Sequence, residues 1–148
     1  KLISHGVCNF HTFYYTVNNE LYCCGKNTFG ELGLKYRDFT TISTPILKQF
    51  KFDSNIIQIE CGQKSTLFLT KNGSVYGCGK NISGQLLNKQ TKGIFKLNEL
   101  SNIKIIGCSK WTSFVVNYDD ILYSFGSNAN GILGIDKPSI NMSRNINF

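Results

Sequence analysis

One pattern recurs three times in this chain, and it limits the fold more than any other feature. Its clearest copy runs Leu67-Phe68-Leu69-Thr70-Lys71-Asn72-Gly73-Ser74-Val75-Tyr76 and then Gly79-Lys80-Asn81-Ile82-Ser83-Gly84-Gln85-Leu86. The first copy reads Tyr14 to Tyr22 and then Gly25-Lys26-Asn27-Thr28-Phe29-Gly30-Glu31-Leu32-Gly33. The third reads Val115 to Tyr123 and then Gly126-Ser127-Asn128-Ala129-Asn130-Gly131-Ile132-Leu133-Gly134. A fixed internal period of about fifty residues marks a repeat architecture, in which each unit buries its apolar face only against its neighbours. The units divide the chain at about 1–54, 55–100 and 101–148.

Each unit reads as β. In the second, Asn55 to Gly62, Ser65 to Thr70, Val75 to Gly79 and Ile94 to Leu97 are short apolar runs bounded by turn residues. None has a helical period. Four short strands per unit are the content of a propeller blade, so the class is all-β, with blades of four antiparallel strands. Asn72-Gly73 suits a type I′ hairpin turn, and Asn18-Asn19 and Asp119-Asp120 occupy the same site. The adjacent acids Asp119 and Asp120 are therefore turn residues. Gly25 and Gly30, Gly79 and Gly84, Gly126 and Gly131 bracket a tight loop where a Cβ would crowd or φ is positive. That loop leads into strand, so no helix N-terminus stands ready for a phosphate. Pro45 suits an edge strand, and the tail from Ile135 reads as a connector. The connection that carries Lys35-Tyr36-Arg37-Asp38-Phe39 is an insertion, which reads either as a binding loop or as a passive surface loop.

With 148 residues and no long apolar run, the chain has enough apolar sequence for a core but no helical membrane span. It begins at Lys1 without an apolar leader, as a segment of a longer protein would. Six cysteines invite a disulfide reading, but Cys8, Cys61 and Cys108 recur at one repeat position and Cys24 and Cys78 at another. Recurrence at equivalent sites reads as small buried side chains, which implies free thiols and a reducing intracellular compartment: nucleus, cytoplasm or an organelle. With no Cys-x-x-Cys and only His5 and His11, a metal site has no support. No nucleophile, acid/base pair or cofactor cradle stands out, and His11 reads as structural. The net charge of +7 comes mostly from lysine and reads either as an ordinary solvated surface or as a face for an acidic partner: a protein face, nucleic acid or a ribonucleoprotein. Lys26, Lys64, Lys80 and Lys110 are the loop lysines for such a face. Trp111 either joins them or packs on the neighbouring blade.

Cys61-Gly62, Leu67-Phe68-Leu69-Thr70, Asn72-Gly73, Val75-Tyr76, Gly79 and Asn81-Ile82-Ser83-Gly84-Gln85-Leu86 closely resemble the repeat of the regulator-of-chromosome-condensation (RCC1) family. Departures are Cys24, Cys78 and Phe125 where that repeat has Trp, Leu87 where it has Gly, and Ser65 and Thr112 where it often has His. The resemblance implies part of a β-propeller, usually a seven-bladed ring. Three repeats are too few to close one, so either further blades or a partner must cover the ends. Family functions range over nucleotide exchange on the GTPase Ran with chromatin binding, domains of ubiquitin ligases, a plant ultraviolet receptor and scaffolds. The receptor chemistry needs clustered tryptophans, whereas Trp111 is alone. The expectation is a non-catalytic interaction module without cofactor, for a protein partner that includes a small GTPase or a larger complex. Exchange on a Ran-like GTPase is the alternative.

Overall fold

A computed structural model describes residues 2–7, 10–34, 41–48, 50–87, 93–135 and 139–146, with backbone alone for 2–5, 7 and 139–146. The Lys35–Phe39 insertion, Cys8 and Pro138 lie outside the described residues. Among the described residues are three sheets, each a simple up-and-down meander of four antiparallel strands. The first holds β1 (Leu2–Val7), β2 (His11–Thr16), β3 (Leu21–Lys26) and β4 (Thr41–Lys48). The second holds β5 (Ile56–Cys61), β6 (Ser65–Thr70), β7 (Val75–Gly79) and β8 (Phe95–Lys96). The third holds β9 (Ile103–Cys108), β10 (Thr112–Asn117), β11 (Leu122–Ser127) and β12 (Ser139–Ile146).

Two expectations are corrected. The tail beyond Ile135 is not all connector: Ser139–Ile146 is the outer strand of the third sheet, with Leu122 opposite Ile146 and Ser127 opposite Ser139. Its apolar residues at 140, 142 and 146 follow the period of two expected of a strand, a signal masked by the asparagines between them. The hairpin turns are also not type I′, because among Lys71, Asn72 and Gly73 only Gly73 has a positive φ, at 78°. Gly73 N–H donates to the Thr70 carbonyl (2.9 Å) and Thr70 N–H to the Ser74 carbonyl (3.0 Å), which makes a three-residue loop with the left-handed residue last. Asn19 (φ 62°) and Asp120 (φ 61°) close the other two hairpins the same way. Pro45 lies in β4, the outer strand, within the register shift opposite Cys24, so its missing N–H breaks no regular pair.

The sheets stack side by side: β5 packs on β1 and β2, and β9 on β5 and β6. Two apolar clusters fill the seams. Phe13, Leu21, Leu32, Ile56, Phe68 and Tyr76 lie in the first, and Leu67, Leu69, Leu86, Ile103, Val115 and Phe125 in the second. Strand β6 is consequently buried along its whole length, with Phe68 toward the first sheet and Leu67 and Leu69 toward the third. Thiols supplement this packing. Cys23 and Cys78 are buried, and burial pushes the Cys23 thiol up to about 11 and raises Cys78 still further. Both are therefore protonated fillers and poor nucleophiles.

A hydroxyl fastens each seam. Thr66 Oγ1 donates to the Glu31 carbonyl (3.1 Å), and Ser113 Oγ, one repeat later, donates to the Gln85 carbonyl (2.8 Å). The Thr66 hydroxyl also lies 2.7 Å from His11 Nε2, a buried bond whose direction follows the imidazole tautomer. His11 is 2% exposed, and burial lowers its pKa from 6.5 to about 4. Between those two values the unfolded chain binds a proton that the folded chain does not, so stability falls as pH drops from about 6.5 toward 4. Glu31, raised by burial, slopes the opposite way above its ordinary range, so the comparison must be between variants. Chemical denaturation of wild type against His11→Asn is expected to show the His11 part of this loss, about 3 kcal/mol at most, only in wild type. Parallel pH profiles would remove His11 as its source.

Candidate partner-binding face

Two positions in each repeat converge on one end of the sheets. The residue after the repeat glycine donates its N–H to the carbonyl of the residue before the second strand: Lys26 to Phe10 (2.7 Å), Lys80 to Lys64 (2.7 Å) and Ser127 to Trp111 (3.0 Å). The glycines make room for that bond, since a Cβ on Gly25, Gly79 or Gly126 would sit 2.4 Å from the same carbonyl oxygen. Beyond each glycine the Asn-x-x-Gly loop is tied by an Asn side chain. Asn27, Asn81 and Asn128 Oδ1 accept from the N–H of Leu32 (3.1 Å), Leu86 (2.7 Å) and Leu133 (2.8 Å). Gly30, Gly84 and Gly131 turn these loops at φ of 83°, 78° and 70°.

All four loop lysines and Trp111 therefore reach one rim. Lys26 Nζ lies 4.8 Å from the Phe10 ring centre. Lys64 Nζ is 4.4 Å from Phe29 and 5.7 Å from Trp111, and Lys80 Nζ is 4.9 Å and 4.3 Å from the same two rings. Lys110 Nζ is 5.4 Å from Trp111. Cation–π attraction at such partly exposed sites contributes about 0.5–1 kcal/mol each. Trp111 touches lysines of the neighbouring blade and lines the rim cavity. Phe29 and Phe10 had no sequence signal, because Phe29 fills a variable position of its loop and Phe10 lies outside the motif.

Between these loops is a cavity of about 410 Å³, lined by Phe29, Glu31, Gln63, Lys64, Lys110 and Trp111 among others. Glu31 is buried at its base and accepts from Phe29 N–H through Oε2 (2.6 Å). Burial raises its pKa, although Lys64 and Lys26 pull it back. Burial, and then the Lys64 ammonium, hold Lys80 below the usual lysine range. The ion pairs among the described residues, Lys96–Asp53 and Lys104–Asp120, include none of the four rim lysines. Among the described residues no three His, Cys, Asp or Glu gather as a metal site, and no helix is long and apolar enough to cross a membrane.

The regulator of chromosome condensation (RCC1) repeat matches residues 18–69 and again 56–85. The chain is built of RCC1-type repeats. It is 32% identical to the Protein RCC2 homolog of Xenopus laevis over 90% of its length and 27% of that protein's. To the X-linked retinitis pigmentosa GTPase regulator of Canis lupus familiaris it is 31% identical, over 85% of its length and 13% of the other's. Among solved structures, Prp20p from Saccharomyces cerevisiae, described with its binding properties to Gsp1p and histones, superposes on the whole chain with a TM-score of 0.86. It is 22% identical, and the chain covers 37% of it. The three sheets are three blades of an RCC1-type β-propeller, and the chain spans about a quarter of the RCC2 homologue it matches.

Proposed function

We propose that these three blades, dividing near 1–54, 55–100 and 101–148, form a non-catalytic interaction module that docks an acidic protein partner on the lysine–aromatic rim. The observation that carries this reading is the gathering of Lys26, Lys64, Lys80 and Lys110 around Phe10, Phe29 and Trp111, with none of the four in an ion pair among the described residues. Like charges gathered on one face, outnumbering the single Glu31 carboxyl among them, steer and hold a partner of opposite sign. The side chains that define the repeats act within the fold: Asn ties its loop, hydroxyls fasten the seams, and His11 bonds Thr66. We infer a reducing intracellular compartment, the nucleus, cytoplasm or an organelle, from cysteines that recur at equivalent repeat positions and the unbridged thiols Cys23 and Cys78. Replacing all four lysines by glutamate is expected to weaken binding of labelled polyglutamate at least about tenfold and to abolish its salt dependence. Unchanged affinity in a variant with unchanged circular dichroism would refute the reading.

The blades also carry the marks of a longer ring. Ile132, at the position of the buried Glu31 and Gln85, is 51% exposed, and Phe114 and Val116 on β10 are only half-buried where their counterparts Leu67 and Leu69 on β6 are buried. Faces of this kind suit further blades, seven in all by the family pattern, and the intact mass of the parent polypeptide tests it.

Exchange on a Ran-like GTPase is the second reading, favoured by the likeness to a GTPase regulator. Nucleotide release measured with the full-length protein separates the two, because an unaccelerated GTPase eliminates exchange and leaves docking intact.

A further inference from the structure

The rim cavity is more specific than a basic surface. Lys64 and Lys80 come from one blade, and each lies within 6 Å of both the Phe29 and Trp111 ring centres, so two like charges share one slot between two aromatic walls. Lys110 reaches Trp111, and Lys26 and Lys110 line the same cavity. Crowding of two ammonium groups is relieved more fully by a dianion than by a single carboxylate, and lysine binds phosphate as a point charge. A second observation comes from Gln63, which lines this cavity and the adjoining one of about 290 Å³. Its Oε1 has no hydrogen-bond donor among the described residues and is shielded until the amide turns toward the cavity, and a buried acceptor left unpaired is costly. A peptide segment supplies such a donor through its backbone N–H.

We propose that the cavity between Phe29 and Trp111 holds one phosphorylated side chain of the partner protein, with Lys64, Lys80 and Lys110 around the phosphate and Gln63 Oε1 accepting from the adjacent peptide. The assignment rests on the acidic-partner reading and narrows it to a phosphoprotein. A nucleic-acid strand fits less well. The aromatic faces that would stack bases are covered by ammonium groups, and the site is a single cavity where a strand needs a track of successive phosphate contacts. Its volume is also that of a pocket for a side chain with its flanking atoms.

The test is calorimetry on the full chain at low salt with four probes. These are a Gly/Ser-flanked phosphoserine peptide, its charge-matched counterpart with two adjacent glutamates, inorganic phosphate, and an oligothymidylate. Trp111, the sole tryptophan, reports occupancy of this cavity by its emission. The phosphopeptide is expected to bind about tenfold or more tighter than the glutamate peptide and to shift Trp111 emission. Lys64→Gln and Lys80→Gln should each cost about tenfold, whereas Lys104→Gln, whose ammonium pairs with Asp120 elsewhere, should change nothing. Equal affinity for the glutamate peptide overturns the phosphate assignment and leaves the acidic-partner reading standing, while binding of neither peptide removes both. Inorganic phosphate binding as tightly as the phosphopeptide, or tighter binding of oligothymidylate, overturns the proposal in favour of a free anion or a nucleic acid.

Discussion

Gly79→Ala is expected to destabilise the chain by about 3 kcal/mol or more, whereas Gly131→Ala, at another glycine of the same motif, should cost only about 1–2 kcal/mol. The two differ in what surrounds them. At Gly79 φ is 105°, beyond the ordinary left-handed well, and a Cβ would lie 2.4 Å from the Lys64 carbonyl oxygen and 2.8 Å from the Ser65 Cα. Both obstacles are backbone, held by the Lys80 N–H to Lys64 bond, so no rotamer change relieves them. Either that bond breaks and the rim loop separates from β6, or the hairpin β6–β7 shifts its register. At Gly131 φ is 70° and nothing lies within 4 Å of an added methyl, so alanine bears conformational strain alone. Urea denaturation of the two variants checks the ranking. Equal losses would mean that backbone conformation and not the close approach explains the glycine. Gly79→Ala should also weaken rim binding, since it displaces Lys80 and Lys64 together.

Legibility from sequence followed the strength of the local signal. The hairpins β2–β3, β6–β7 and β10–β11 were readable because apolar runs flank turn residues at one spacing in each copy, and their pairing needs only local contacts. The outer strands were less uniform. Ile94 to Leu97 was legible and holds β8 (Phe95–Lys96), but β12 lies among asparagines, so its pattern is not distinct from loop. An Asn-Gly pair signals a turn, but its type depends on how many residues separate the paired strands, which the dipeptide does not specify. At the rim, repeat equivalence placed Lys26 with Lys80 and Lys64 with Trp111. It could not supply Phe29, Gln63 or the buried Glu31, whose roles depend on how neighbouring blades approach. Seam chemistry was likewise out of reach: that His11 bonds Thr66, 55 residues away, follows from stacking one repeat on the next.

Phe68→Ala is expected to cost about 3–5 kcal/mol and, more tellingly, to divide the molecule. Phe68 is fully buried in the first seam, edge-on to Phe13 at 5.0 Å and tilted against Phe52 at 5.5 Å, with Tyr76 in the same cluster. Its neighbours Leu67 and Leu69 belong to the other seam. Truncation therefore leaves a cavity between the first and second blades and keeps the contacts between the second and third. In an architecture stabilised by nearest-neighbour interfaces, a weakened interface should uncouple the units on either side. Amide exchange is the direct measurement. Protection in β2 and β3 should collapse toward the level of local opening, while amides of β9, β10 and β11 keep most of theirs. Val115→Ala, in the second seam, should reverse the pattern at a smaller cost, because fewer apolar atoms are removed. Uniform loss of protection across all three sheets in both variants would show that the blades unfold as one cooperative body. Stability would then be a property of the whole arc, with the seams coupled too tightly for one truncation to separate them.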